Sequence, residues 1–130
     1  MLTEVHYIEP ECIFCKIVDK KIESKIVFEN DEIVAFNDIN PLAPVHILII
    51  PKKHIASVNE VVSPDDVQLL GGMVVAARDI AIKLGIAKDG YKLLFRVGKH
   101  GGQEVDHLHL HLIGGAALHE EIRPLAVEWK

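Results

Sequence analysis

Apolar and polar residues alternate most strictly in "HLHLHLIGG", residues 107–115, where His107, His109 and His111 interleave with Leu108, Leu110 and Leu112. In an extended chain successive side chains point to opposite faces, so the histidines share one face and the leucines the other. A half-buried strand with a polar outer face accounts for the leucines. It does not account for a titratable, nucleophilic, metal-binding ring at every polar position. The stretches "KIVFEN", "EIVAFND", "HILIIP" and "YKLLFRV" also have strand length, are rich in Ile, Val and Phe, and are bounded by turn formers such as Asn30-Asp31 and "NPLAP". With "VDHLHLHLI" they predict five strands.

Between the third and fourth stretches the period changes to that of a helix. Ser63 suits the N-cap, Pro64 the first turn, Asp65 and Asp66 the positive helix end, and Gly85 a stop after Lys83. Val67, Leu70, Val74, Ala77, Ala81 and Leu84 recur at helical spacing and predict the face laid on a sheet or a partner. Gly71 and Gly72 cost about 1 kcal/mol each relative to Ala inside a helix, which points either to close backbone contact or to simple inefficiency. A shorter helical segment begins near Cys12 and runs through "IFCKIVDKK". Hairpin-like links and one long helix before the last two strands predict α+β with a five-stranded antiparallel sheet.

Composition narrows the function. At 130 residues and 49% hydrophobic content the chain suits a single domain, residues 1–130, with one core. A formal charge of -5 and pI near 5.9 argue against a surface built to neutralise nucleic-acid phosphates. The start "MLTEVHYIEPECIF" does not read as a secretory signal, and "APVHILIIP" is too short to span a bilayer, so a cytoplasmic setting is expected, with neither membrane nor nucleic acid as partner. Cys12 and Cys15 form a C-x-x-C pair, whose spacing suits metal binding or redox work in a reducing compartment. Paired glycines in "HGGQEV", residues 100–105, allow backbone N–H groups to face an anion, although a tight turn is their commoner meaning.

The pattern His107-Leu-His109-Leu-His111-Leu-Ile resembles that of the histidine triad (HIT) family. The resemblance extends through "IFCKIV", "AFNDINPLAPVHILIIPKKHI", "GGQEV" and the "GG" after the triad, about residues 12–115, between an N-terminal arm 1–11 and a tail 116–130. It is strongest to the Hint branch of purine nucleoside phosphoramidases. It implies attack on the α-phosphorus of a purine nucleoside monophosphate conjugate, with His109 as nucleophile, His111 as charge-stabilising and proton-donating partner, and His46 in support. An imidazole suits this role, since it is partly neutral near physiological pH and needs no metal to become nucleophilic. No cofactor is then required for catalysis.

The same resemblance places Asp38 on the ribose hydroxyls, Ile13, Phe14, Ile17, Phe36 and Ile39 around the base, and Gly102, Gln103 and Val105 in a phosphate loop. Phe36, two residues from Asp38, is on its own equally a core residue. Cys12, Cys15, His54 and His107 match a structural zinc site of some bacterial members, a tetrahedral set without an open position; the alternative is a pair of buried thiols. A homodimer is likewise implied. Arg96 stands where the Hint branch carries a phosphate-contacting Asn, Glu104 where many members have Ser, and Asp106 where an aromatic is common. The tail "AALHEEIRPLAVEWK" also departs, so leaving-group preference stays open. The competing readings are a regulatory module that binds nucleotide or zinc without turnover, and a dinucleoside polyphosphate hydrolase. A nucleophile flanked by two other histidines favours chemistry over binding alone.

Overall fold

All five expected segments pair into one sheet in the computed structural model, which describes residues 8–126. The strands are β1 (Ile26–Glu29), β2 (Ile33–Asn37), β3 (Val45–Pro51), β4 (Tyr91–Phe95) and β5 (Leu110–Gly114), in the order β1-β2-β3-β5-β4. Every neighbouring pair is antiparallel; short links join β1 to β2 and β2 to β3, whereas β3 meets β5 from a distant part of the chain. The expected arm and tail fall partly outside the described residues. Among those described, no helix is long and apolar enough to cross a membrane.

Period-two alternation gives this sheet two buried faces. One carries Ile33, Ala35, Ile47, Ile49, Leu110 and Leu112, which pack with Leu69, Met73, Ala77, Ile80 and Ala81 of the long helix α2 (Pro64–Lys83). The other carries Val34, Phe36, Leu48 and Ile50, which cluster with Phe14 and Ile17 of the short helix α1 (Ile13–Val18). Register puts the catalytic candidates on this second face: Phe36 pairs with Leu48, and Leu48 with His111. The rings of His46, His109 and His111 are buried there, and Phe14 of α1 packs edge-on against His109.

The helix ends follow the sequence, because caps are local. Ser63 accepts the N–H of Asp66, and Cys12 caps α1 by accepting the N–H of Cys15. The expected helix face requires correction. Val67, Val74 and Leu84 are exposed, and the buried stripe runs through Leu69, Met73, Ala76, Ala77, Ile80 and Ala81. Leu69, Met73 and Ile80 fill the space against the sheet with Ala76, Ala77 and Ala81 between them, while Val67 and Val74 lie on the outer side, a choice that periodicity alone could not make because apolar residues occur on both faces. Gly71 has no neighbour within 4 Å of an added Cβ, and at Gly72 that atom would make ordinary contact with Ile33 at 3.7 Å, so neither marks a close approach inside this chain.

The last strand is also shorter than its alternation suggested. Pairing begins at Leu110, because Leu108 donates its N–H instead to Ile55 O at 2.6 Å. His107 and His109 thus stand just before the ladder, on an extended segment held from the side.

Candidate active site

Three imidazoles buried on one face must each find partners for two ring nitrogens, and those partners determine the tautomers. His46, at the start of β3, accepts the Leu42 N–H at Nδ1 over 3.1 Å. Its hydrogen therefore lies on Nε2, which donates to His111 Nδ1 at 3.0 Å. The hydrogen of His111 is in turn placed on Nε2. That atom is buried and has no hydrogen-bond partner. An orphaned donor costs about 1–3 kcal/mol, enough to require a reason, and an incoming oxyanion supplies one.

His109 is oriented differently. Its Nδ1 donates to the His107 carbonyl at 2.6 Å, which leaves the lone pair on Nε2. The ring lies 5.0 Å from His111, centroid to centroid, and 5.1 Å from the Phe14 ring, which meets it edge-on. Burial lowers the pKa of His46 and of His109 and brings that of His111 down to about 4, the neighbouring His109, His46 and Arg96 charges adding to the last. All three rings are thus neutral near pH 7, the form in which an imidazole is a nucleophile.

Beside these rings opens a groove of about 980 Å³ lined by Ile17, Ile22, Ser24, Asp38, Ile39, His46 and neighbours. Asp38 sits at its floor, one carboxylate oxygen accepting the Asn40 N–H at 2.8 Å and the other 3.5 Å from His46 Nε2. Phe14 and Phe36 are buried and meet edge-on at 5.6 Å. Ile39 lines the groove while 88% exposed, whereas Ile13 is 48% exposed on α1 and does not line it. Sequence reasoning missed Ile22 and Ser24, which lie in the polar run "KKIESK" without any periodic signal.

The glycine loop is a built turn. Gly102 donates to Lys99 O and Gln103 to Gly98 O, while the Gln103 side chain accepts from Gly98 and donates to Ala56 O and Val105 O. Gly101 admits no side chain, since a Cβ would collide with the Val97 carbonyl. The Gly102 and Gln103 amides are engaged within the turn itself. The Val105 N–H makes no hydrogen bond among the described residues and remains for a ligand.

Behind His109, the expected metal ligands do converge. His107 Nε2 donates to Pro51 O at 2.8 Å, so its Nδ1 lone pair faces Cys12 Sγ at 3.4 Å and Cys15 Sγ at 3.6 Å; His54 Nδ1 lies 3.3 Å from Cys15 Sγ. A tetrahedral zinc with two sulfur and two nitrogen ligands has edges of about 3.5 Å, so the donor set fits that ion. Backbone N–H groups of Cys15 and Glu9 point at the two sulfurs, as thiolates require. Without a metal, burial holds the Cys15 thiol up at about 11. Asp38, His46 and His111 also approach one another, but both ring nitrogens of His46 and Nδ1 of His111 already serve the hydrogen bonds above, and His111 Nε2 carries a hydrogen.

A family model described as "Scavenger mRNA decapping enzyme C-term binding" matches residues 11–121. Purine nucleoside phosphoramidase of Escherichia coli K12 is 51% identical over 108 residues, which cover 83% of this chain and 90% of that protein. The chain belongs to the HIT family. Solved HIT structures agree: a HIT family hydrolase from Legionella pneumophila is 50% identical with a TM-score of 0.79, covering 82% of this chain and 95% of its own. Another from Clostridium thermocellum is 44% identical at TM-score 0.83, covering 88% and 99%. The five-stranded antiparallel sheet with one long and one short helix is the HIT fold.

A pH dependence follows from His111. Its pKa is about 4 when folded against 6.5 for the free side chain, so the unfolded chain takes up the proton first as pH falls. The stabilisation, on the order of 3 kcal/mol, is complete above about pH 6.5 and lost progressively toward pH 4. Melting temperatures measured across this window should fall for the wild type, and His111→Gln should flatten the slope; an unchanged slope would place the titration elsewhere.

Proposed function

We propose that this HIT enzyme hydrolyses purine nucleoside phosphoramidates of the AMP-amine type through a nucleotidyl-histidine intermediate. The observation that supports this most is the pairing of a lone-pair nitrogen, His109 Nε2, with a buried, partnerless N–H on His111. The groove takes the nucleoside, with Asp38 accepting from the ribose and Ile17, Ile39, Phe14 and Phe36 forming apolar surroundings for the base. The phosphoryl oxygens then receive His111 Nε2–H and Val105 N–H.

In the first step the His109 Nε2 lone pair forms a bond to phosphorus, the P–N bond breaks, and the departing amine takes a proton from solvent. In the second, water bonds to phosphorus, the bond to His109 breaks, and the water's proton is released. His111, held neutral by burial, acts here as a donor to the oxyanion rather than as an acid, and His46 holds its tautomer. This chemistry calls for no cofactor, and two free thiols suit a cytoplasmic setting.

His109→Ala should abolish turnover of an AMP-amine conjugate and leave AMP affinity within a few fold. Rapid-quench mass spectrometry of the wild type should find a transient nucleotidyl adduct on "VDHLHLHL". Undiminished turnover by the variant would exclude the covalent route, and tight binding with no turnover of phosphoramidate or diadenosine polyphosphate would favour a regulatory module.

The four-ligand cluster is read as structural zinc, supported by the donor spacing. When bound, zinc would tie α1 to the segment before β5; it is given no catalytic step. Metal analysis should find about one equivalent per chain. Cys12→Ser with Cys15→Ser should remove it and lower the melting temperature, whereas negligible metal and a normal melt would leave two core thiols.

The chain is also read as a homodimer. β4 ends the sheet with its outer edge unpaired by any other strand among the described residues, and α2 leaves Val67, Val74, Val75 and Ile82 exposed around Gly71. A second copy would cover both features through a two-fold axis. Sedimentation at tens of micromolar, a range set by moderately tight association, should show a dimer; a monomer would refute this.

A further inference from the structure

Arg96 is one residue beyond β4, whose last registered pair is Phe95 with Leu110. Continuing that register by one step sets Arg96 opposite His109. Alternation puts it on the histidine face, since Leu94 pairs with His111. Its side chain reaches over the glycine turn: an added Cβ at Gly102 would lie 3.7 Å from Nη1 and 3.8 Å from Cδ. The side chain thus packs on the turn at ordinary contact distance, and it is the φ of 78° at Gly102 that favours glycine there.

This half-buried cation makes no ion pair or hydrogen bond among the described residues. Its charge nevertheless reaches the centre of the site, lowering the pKa of His46, His109 and His111. The nucleoside groove is lined only by residues between Ile17 and His46, so Arg96 is no part of it. Across the sheet the order is nucleoside groove at β2 and β3, phosphorus at the histidines of β5, then Arg96 beyond β4. What lies past the phosphorus, seen from the nucleoside, is the leaving group.

We propose that Arg96 is a specificity residue that selects leaving groups carrying a negative charge, a carboxylate or a phosphate, next to the bond that is broken. The proposal rests on the phosphoramidase reading above for where the nucleoside sits. A guanidinium offers a planar fork of donors matched to either anion. The exposed Glu104 works against it, because its charge also bears on His109 and would repel such a group. Glu104 and Arg96 are not within ion-pair distance, so they act on a substrate separately.

The test compares three substrates: AMP joined through P–N to n-propylamine, AMP joined to the amine of β-alanine, and ADP, whose leaving group is phosphate. Wild-type kcat/KM should be about tenfold higher on at least one anionic substrate than on the propylamine conjugate, the gain expected of one charge-assisted contact. Whether β-alanine or ADP shows the gain identifies carboxylate or phosphate as the anion read. Arg96→Gln should erase the preference and leave the propylamine conjugate within threefold, Arg96→Lys should retain part of it, and Glu104→Gln should enlarge it. Equal loss on all three substrates in Arg96→Gln would mean that the residue serves the α-phosphate alone, and absence of preference in the wild type would equally overturn the proposal. If the wild type turns over none of them, the phosphoramidase reading fails, and calorimetric affinities for the β-alanine and propylamine conjugates decide on Arg96: a preference abolished by Arg96→Gln supports it, and equal affinities refute it.

Discussion

Burial of the His46, His109 and His111 rings on one sheet face is the constraint on which the site depends. In water each imidazole would exchange tautomers and partners freely; buried, each ring is fixed by the group that its hydrogen-bonded nitrogen meets. The Leu42 amide sets His46, His46 sets His111, and the His107 carbonyl sets His109. Once those bonds are made, a lone pair and an N–H are left over, and they are the two groups that a nucleophilic attack on phosphorus needs. Burial also keeps the rings neutral, so orientation and protonation state have a common cause.

The cluster of Cys12, Cys15, His54 and His107 belongs to the same construction. His107 gives one ring nitrogen to Pro51 and the other to the sulfurs, while its carbonyl orients His109. Phe14, between the two cysteines, meets the rings of His107, His109 and Phe36 edge-on. The helix that carries the cysteines thus also supplies a wall of the site. The candidate metal ligands and the candidate catalytic residues share one backbone segment, whose His107 and Leu108 are pinned from Pro51 and Ile55 rather than by the ladder.

Beside this core the glycine turn and the Arg96 side chain lie together on the histidine face of the sheet. The turn is held by Gln103 on both sides and by a glycine where no side chain fits, so its shape does not depend on which charges line it. The charges of Arg96 and Glu104 lie at this rigid frame and act on the histidines across it, Arg96 lowering the pKa of His46, His109 and His111 and Glu104 raising that of His109.

Local rules made much of this legible. Apolar stretches of strand length between turn formers marked four strands and alternation the fifth, Ser63 and Gly85 bounded the long helix, and the His-Leu ladder put three histidines on one face, because these signals depend on residues close in sequence. The resemblance carried by "HLHLHLI" and "HILIIPKKHI" supplied roles that periodicity could not. Tertiary structure decided what depends on contacts between distant segments: that α2 buries Leu69 and Met73 instead of Val67 and Val74, that Ile39 is exposed while Ile22 and Ser24 line the groove, and that the amides of Gly102 and Gln103 are consumed within their turn. It also decided the tautomers of the triad, since a ring nitrogen's proton is assigned by whichever carbonyl or amide the fold brings beside it.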